Sequence, residues 1–128
     1  MPTTIKVVVV EDDSDLQFLY KLKLEHEGFE VLGAGNGVEG LAVIEAMRPD
    51  IVLLDLMMPV MSGPEMLAHL RSKEWGGTVR VIVLTNISKD EAPAALRFLR
   101  VDRYVVKAHH TPAQIAQMVR EIMDTNVT

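Results

Sequence analysis

With 128 residues, a formal net charge of −5 and no cysteine, the chain has room for one domain built around a single core. The acidic balance argues against a surface made to neutralise nucleic-acid phosphates, and the lack of cysteine excludes disulfides, thiolate nucleophiles and zinc-thiolate sites. The opening MPTTIKVVVV carries an apolar run too short to cross a bilayer and leads straight into acidic residues, so a cytoplasmic chain without membrane contact is expected.

Short β-branched runs alternate with segments of helical period, the pattern of parallel strands joined by crossover helices. Residues 5–10 read as the first strand, its four consecutive valines suited to burial on both faces. A helix over 15–27 follows, with Ser14 as cap, Gln17 completing a capping box, Gly28 as stop, and Leu16, Leu19, Tyr20 and Lys23 along its sheet-facing side. Residues 29–34 form the second strand. Asn36 caps a helix from 37 or 38 to 47, closed by Arg48 and Pro49. Ile51–Leu54 is the third strand. Ser62 and Glu65 make a capping box, with Pro64 in the first turn of a helix over 64–73. Residues 79–84 give the fourth strand. Ser88, Glu91 and Pro93 set a helix whose regular part covers 90–99. Arg103–Val106 is the short fifth strand. Thr111, Pro112 and Gln114 open a last helix, running to about 123 on Ile115, Met118, Val119 and Ile122. Five strand-helix units predict an α/β fold of one domain, an open, doubly wound parallel sheet with helices on both faces. Its ligand crevice lies beyond the carboxyl ends of the strands.

Those ends carry the chemistry: Glu11, Asp12 and Asp13 after the first strand, Asp55 after the third, Thr85 after the fourth and Lys107 after the fifth. An aspartate closing an apolar strand such as IVLLDLMMP also suits a turn or cap, so Asp55 alone decides nothing. Carboxylates converging at one sheet end repel one another unless a cation lies among them, and an all-oxygen set favours Mg²⁺ or another hard divalent ion such as Mn²⁺. Mg²⁺ held by few carboxylates usually shares phosphate oxygens, which makes a phosphoryl group the natural missing ligand. A carboxylate can itself be the nucleophile, with the metal, an ammonium and a hydroxyl holding the transferring oxygens.

VVVVEDDSDL, RPDIVLLDLMMPVMSG, VIVLT and YVVK, in that order, resemble the receiver domain of two-component response regulators over nearly the whole chain. The resemblance implies a flavodoxin-like strand order 2-1-3-4-5. It makes Asp55 the phosphoacceptor, places Mg²⁺ on Glu11, Asp12, Asp55 and the main-chain carbonyl of Met57, and puts Thr85 and Lys107 on the phosphoryl oxygens. Tyr104 is the implied aromatic switch, remodelling the surface formed by the last helix, the preceding helix and the strand between them. The implied donor is a sensor histidine kinase or a histidine phosphotransfer protein, and the output is recognition by a protein partner, with the domain a monomer or a weak phosphorylation-dependent dimer. The domain would catalyse its own phosphorylation and dephosphorylation. Stand-alone chemotaxis or phosphorelay regulators and receivers within larger regulators both match this pattern.

Four departures from the family pattern stand out: Ala108 where a proline usually follows the lysine, Asn86 where a small residue follows the threonine, Ser62 in place of an acid, and Arg100-Val101-Asp102 in place of a Gly-Ala step. Asp13 reads as a solvated residue or cap, and Met57, Met58 and Met61 as loop and core filling. His109 and His110 read as loop residues rather than metal ligands. Arg97, Arg100, Arg103 and Lys107 are either a solvated rim or a patch for an acidic partner. Rival functions lack their residues: Met57 stands where a haloacid-dehalogenase phosphatase needs a second acid, and no GxxxxGK occurs. A flavin binder would want hydroxyl and amide-rich loops where this crevice is acidic. The remaining alternative is a receiver-like interaction module that works without phosphate.

Overall fold

A computed structural model of the chain describes residues 4–124. Five strands, β1 (Lys6–Val10), β2 (Glu30–Ala34), β3 (Ile51–Leu54), β4 (Arg80–Thr85) and β5 (Arg103–Val106), form one sheet. It is all parallel, in the order β2-β1-β3-β4-β5. The order reverses between β1 and β3, and the crevice of such sheets opens there.

Strand side chains alternate between two cores. Val7, Val9, Ile51, Leu53, Ile82 and Leu84 meet helices α1 (Ser14–His26) and α4 (Pro112–Asp124) on one face. Val8, Val10, Val52, Leu54, Val81 and Val83 meet α2 (Gly37–Met47) and α3 (Gly63–Ser72) on the other. Burying each such side chain contributes about 1.5–3 kcal/mol, which is why β1 after Lys6 and all of β3 are apolar until their last positions have passed.

The helix ends follow the caps with one exception. Asn36, Ser62 and Thr111 each accept a hydrogen bond from the N–H three residues on. At α1 the cap is Asp13, whose carboxylate accepts from the N–H groups of Asp15 and Leu16 at 3.1 Å; Ser14, expected to cap, is instead the first helical residue. Gln17 completes no capping box either. Its carboxamide donates to the carbonyls of Glu11 (2.9 Å) and Ala34 (3.0 Å), tying together the ends of β1 and β2. Gly28, at φ 96, reverses the chain after α1 in a conformation side chains resist. Tyr20 and Leu24 carry the buried side of α1, whereas Leu19, expected against the sheet, is 49 % exposed.

The helix expected over 90–99 does not form. Two short 3₁₀ turns, Lys89–Glu91 and Ala94–Phe98, take its place, leaving four α-helices among the described residues. Pro93 has no N–H to give and forces the residue before it out of the helical region, so Ala92 and Pro93 are extended at ψ 142 and 133. The Ser88 hydroxyl donates to the Glu91 carboxylate at 3.1 Å rather than accepting from a backbone N–H. Arg71 of α3 then fastens the segment: its guanidinium donates to the carbonyls of Leu99, Gly76, Val79 and Arg100 at 2.6–2.7 Å. Arg100 adopts the left-handed region at φ 54, and Asp102 accepts from the Val81 N–H (2.7 Å) and from Arg80 (2.9 Å), which aligns the start of β5 on β4.

Candidate functional site

Glu11, Asp55 and Lys107 each follow the last residue of a strand and Thr85 is the last residue of β4, where the ladder stops and a side chain can reach over the sheet edge. The N–H of Glu11 still donates to the Ala34 carbonyl and that of Asp55 to the Val10 carbonyl, so both carboxylates start from fixed backbones. Among the described residues the buried polar or charged ones are Glu11 (2 % exposed), Asp55 (6 %) and Thr85 (1 %). All three lie at the carboxyl end of the sheet.

Glu11, Asp12 and Asp55 bring one carboxylate oxygen each within 4.8 Å of the others, and among the described residues this is the group able to share an ion. Asp12 is solvent-exposed and opens the cluster to water. Lys107 reaches in from β5: its ammonium lies 2.5 Å from Glu11 Oε1 and 2.9 Å from Asp55 Oδ2. Asp55 Oδ1 accepts from the Met57 N–H at 3.3 Å. Thr85 closes the far wall, its hydroxyl oxygen accepting from the Ile87 N–H at 3.4 Å. The Ile87 carbonyl in turn accepts from the hydroxyl of half-buried Tyr104 at 2.8 Å. A cleft of about 440 Å³ opens between Asp55, Met57, Thr85, Asn86, Glu91 and Lys107.

Three carboxylates against one ammonium leave a net charge of about −2, and each repelling pair at 4 Å costs about 4 kcal/mol at a surface-like effective dielectric. Burial raises the Glu11 carboxyl above its ordinary value, and Asp55 adds to the shift, although Lys107 and the Asp13 N–H oppose it. Burial pulls Lys107 down, yet its hydrogen bonds to Glu11 and Asp55 carry it above the ordinary lysine value. Tyr20 sits beneath the cluster; burial raises its phenol, Lys107 lowers it, and Glu11 and Asp55 raise it further. Oxygen donors, surplus negative charge and an exposed acid at the rim fit a hard divalent cation, and Glu11, Asp12 and Asp55 are the side chains able to hold it.

The loop after Asp55 is fixed by a close approach. The Gly63 N–H donates to the Leu56 carbonyl at 3.0 Å, and a Cβ at residue 63 would lie 2.2 Å from the Asp55 carbonyl oxygen. Val60 adopts φ 71 within a turn closed by the Met61 N–H on the Pro59 carbonyl (2.8 Å), a strained conformation for a β-branched residue. Of the other sequence candidates, Met57 lines the rim, while His109 and His110 are not part of the acidic group. Arg103 pairs with Glu121 at 3.0 Å and Arg97 is exposed. Sequence reading did not foresee Gln17, Tyr20 or Gly63 at the site. Their signals were a polar residue one helical turn into α1, a tyrosine on its buried side, and a glycine directly after the cap residue of a capping box.

A family model described as the response regulator receiver domain matches residues 7–120, and the chain belongs to that family. Receiver domains of this kind are phosphoacceptors in two-component signalling and work with histidine kinases and downstream effectors. The chain is 36% identical over 115 residues to the phosphate regulon transcriptional regulatory protein PhoB of Rhizobium meliloti, covering 88% of this chain and 50% of that protein. It is 35% identical over 121 residues to protein-glutamate methylesterase/protein-glutamine glutaminase 3 of Rhodospirillum rubrum, covering 93% and 32%. The chain thus spans about half the length, or less, of these curated relatives. A CheY-like receiver domain protein of Methanospirillum hungatei superposes with a TM-score of 0.86 at 28% identity, over 96% of each chain. The receiver domain of a Francisella response regulator does so at 0.84 and 26%, over 96% of this chain and 99% of that one. No described helix is long and apolar enough to cross a membrane.

Proposed function

We propose that residues 1–128 act as one cytoplasmic phosphoacceptor unit in which Asp55 takes a phosphoryl group from the phosphohistidine of a sensor kinase or phosphotransfer protein. The observation that carries this reading is the environment of Asp55: buried at the end of β3, 2.9 Å from the Lys107 ammonium and grouped with the oxygens of Glu11 and Asp12.

In the transfer an Asp55 carboxylate oxygen forms its bond to phosphorus as the phosphorus–nitrogen bond of the donor breaks, and the imidazole nitrogen keeps the electron pair. Mg²⁺, or Mn²⁺ in its place, would supply neutralisation of the charge on the phosphoryl oxygens when held by Glu11, Asp12, Asp55 and the Met57 carbonyl. Lys107 is placed to follow the charge from the Asp55 oxygen to the phosphoryl oxygens, and Thr85 to donate its hydroxyl to one of them. The same groups serve water attack in dephosphorylation.

Ile87 links this chemistry to the surface. Its N–H donates to the Thr85 hydroxyl and its carbonyl accepts from the Tyr104 hydroxyl, so a Thr85 drawn toward a phosphoryl group disturbs the contact that fixes the Tyr104 ring. The responding surface comprises the 3₁₀ segment 89–98, β5 and α4, and its reader is a protein partner; the domain itself is a monomer or a weak phosphorylation-dependent dimer. A shift from one part in a hundred to ninety-nine needs about 5.5 kcal/mol of preference from the phosphoryl group.

The test is incubation with Mg²⁺ and acetyl phosphate followed by intact-protein mass measurement. An acid-stable, base-labile increase of one phosphoryl group is expected, absent with EDTA or in Asp55→Asn. No adduct, with a competent kinase also tried, would favour the interaction module that works without phosphate.

A further inference from the structure

Two departures from the family pattern touch each other. Asn86 follows Thr85, and Ala108 follows Lys107; the Asn86 side-chain carbonyl accepts a hydrogen bond from the Ala108 N–H at 3.2 Å. A proline at 108 would have no N–H to give and would push Lys107 out of the helical region, whereas here Lys107–His109 forms a 3₁₀ turn closed by the His110 N–H on the Lys107 carbonyl at 3.2 Å. Alanine at 108 and asparagine at 86 therefore work as a pair.

The place of this bond gives it a task. β5 is an edge strand with β4 as its one neighbour, and the last pair of their ladder is Thr85 with Val106. Beyond it Lys107 rides on backbone that the sheet no longer holds. The Asn86 carboxamide extends the connection by one further bond, on the side of the cleft where Lys107 reaches Glu11 and Asp55. Resting on the reading of Glu11, Asp12 and Asp55 as the ion site, we infer that Asn86 is a positioning residue: its bond to the Ala108 N–H holds the Lys107 ammonium on the acidic cluster, where it competes with the divalent cation. A chain with this clasp binds the ion more weakly and carries Lys107 already in reach of the group that Asp55 accepts.

The test combines backbone exchange with ion affinity. In Asn86→Ala, the Ala108 amide should exchange with deuterium several times faster than in the unmodified protein, and Mn²⁺, followed by the loss of its free-ion electron paramagnetic resonance signal, should bind about two- to tenfold more tightly, the range that one hydrogen bond spans. Asn86 is exposed, so its truncation leaves the core intact. In a Lys107→Ala background, Asn86→Ala should leave Mn²⁺ affinity unchanged, an outcome that a merely structural role would not give. Unchanged Ala108 exchange, or an equal affinity change with and without Lys107, overturns the inference while the ion site stands. Failure of the unmodified protein to bind Mn²⁺ at all overturns the ion site, and this inference with it.

Discussion

The two tyrosines share a titration behaviour for separate reasons. Tyr20 is raised by burial and by the carboxylates above it, with Lys107 opposing; Tyr104 is raised by burial and by Glu91. A folded-state value above the unfolded 10.0 means that the neutral phenol is the favoured form in the fold. The associated stability is fully present below pH 10.0 and is lost as the pH rises through the folded values. An alkaline titration followed by tyrosinate absorbance should therefore show both phenols ionising above that pH, with unfolding free energy falling over the same range; a phenol ionising below it would contradict the packing of these rings. At this scale the sequence was informative where chemistry is local. Glu11, Asp55, Thr85 and Lys107 were legible because each closes or directly follows a β-branched or aliphatic run. The contact between Asn86 and Ala108 was not, since it joins residues that pair only after the sheet forms.

Among the elements, the strands and capped helices were legible because burial and caps act within a few residues. The misread ones failed for separate reasons, near and distant. Ser14 lost the cap to Asp13, one residue earlier, and the periodicity of α1 did not reveal that Leu19 faces solvent. Helical spacing over 90–99 was overruled by Pro93 and by Arg71, which stands about thirty residues upstream of the carbonyls it grips at Leu99 and Arg100. Arg71 is held by carbonyls from the loop before β4 and the segment before β5, so Arg71→Met should cost about 2–4 kcal/mol in denaturant unfolding by leaving those carbonyls unmatched. A loss under about 0.5 kcal/mol, the size of an ordinary surface change, would show that the guanidinium does not fasten the crossover.

For the whole molecule, the excess negative charge at one sheet end makes fold stability and ion binding a single question. Mg²⁺ at ten times its dissociation constant should stabilise the fold by about 1.4 kcal/mol, raising the melting temperature by about 5 °C over the EDTA-treated protein. Asp12→Asn, at an exposed position, should abolish most of that rise without unfolding the domain. The central claim is that Asp55, rather than Glu11 or Asp12 beside it, receives the phosphoryl group. Borohydride reduction of the acetyl-phosphate-treated protein, followed by peptide mapping, tests it directly, since reduction converts an aspartyl phosphate to homoserine. Homoserine at position 55 and at neither neighbouring acid is the predicted result; a reduced residue at 11 or 12, with Asp55 intact, would contradict the account.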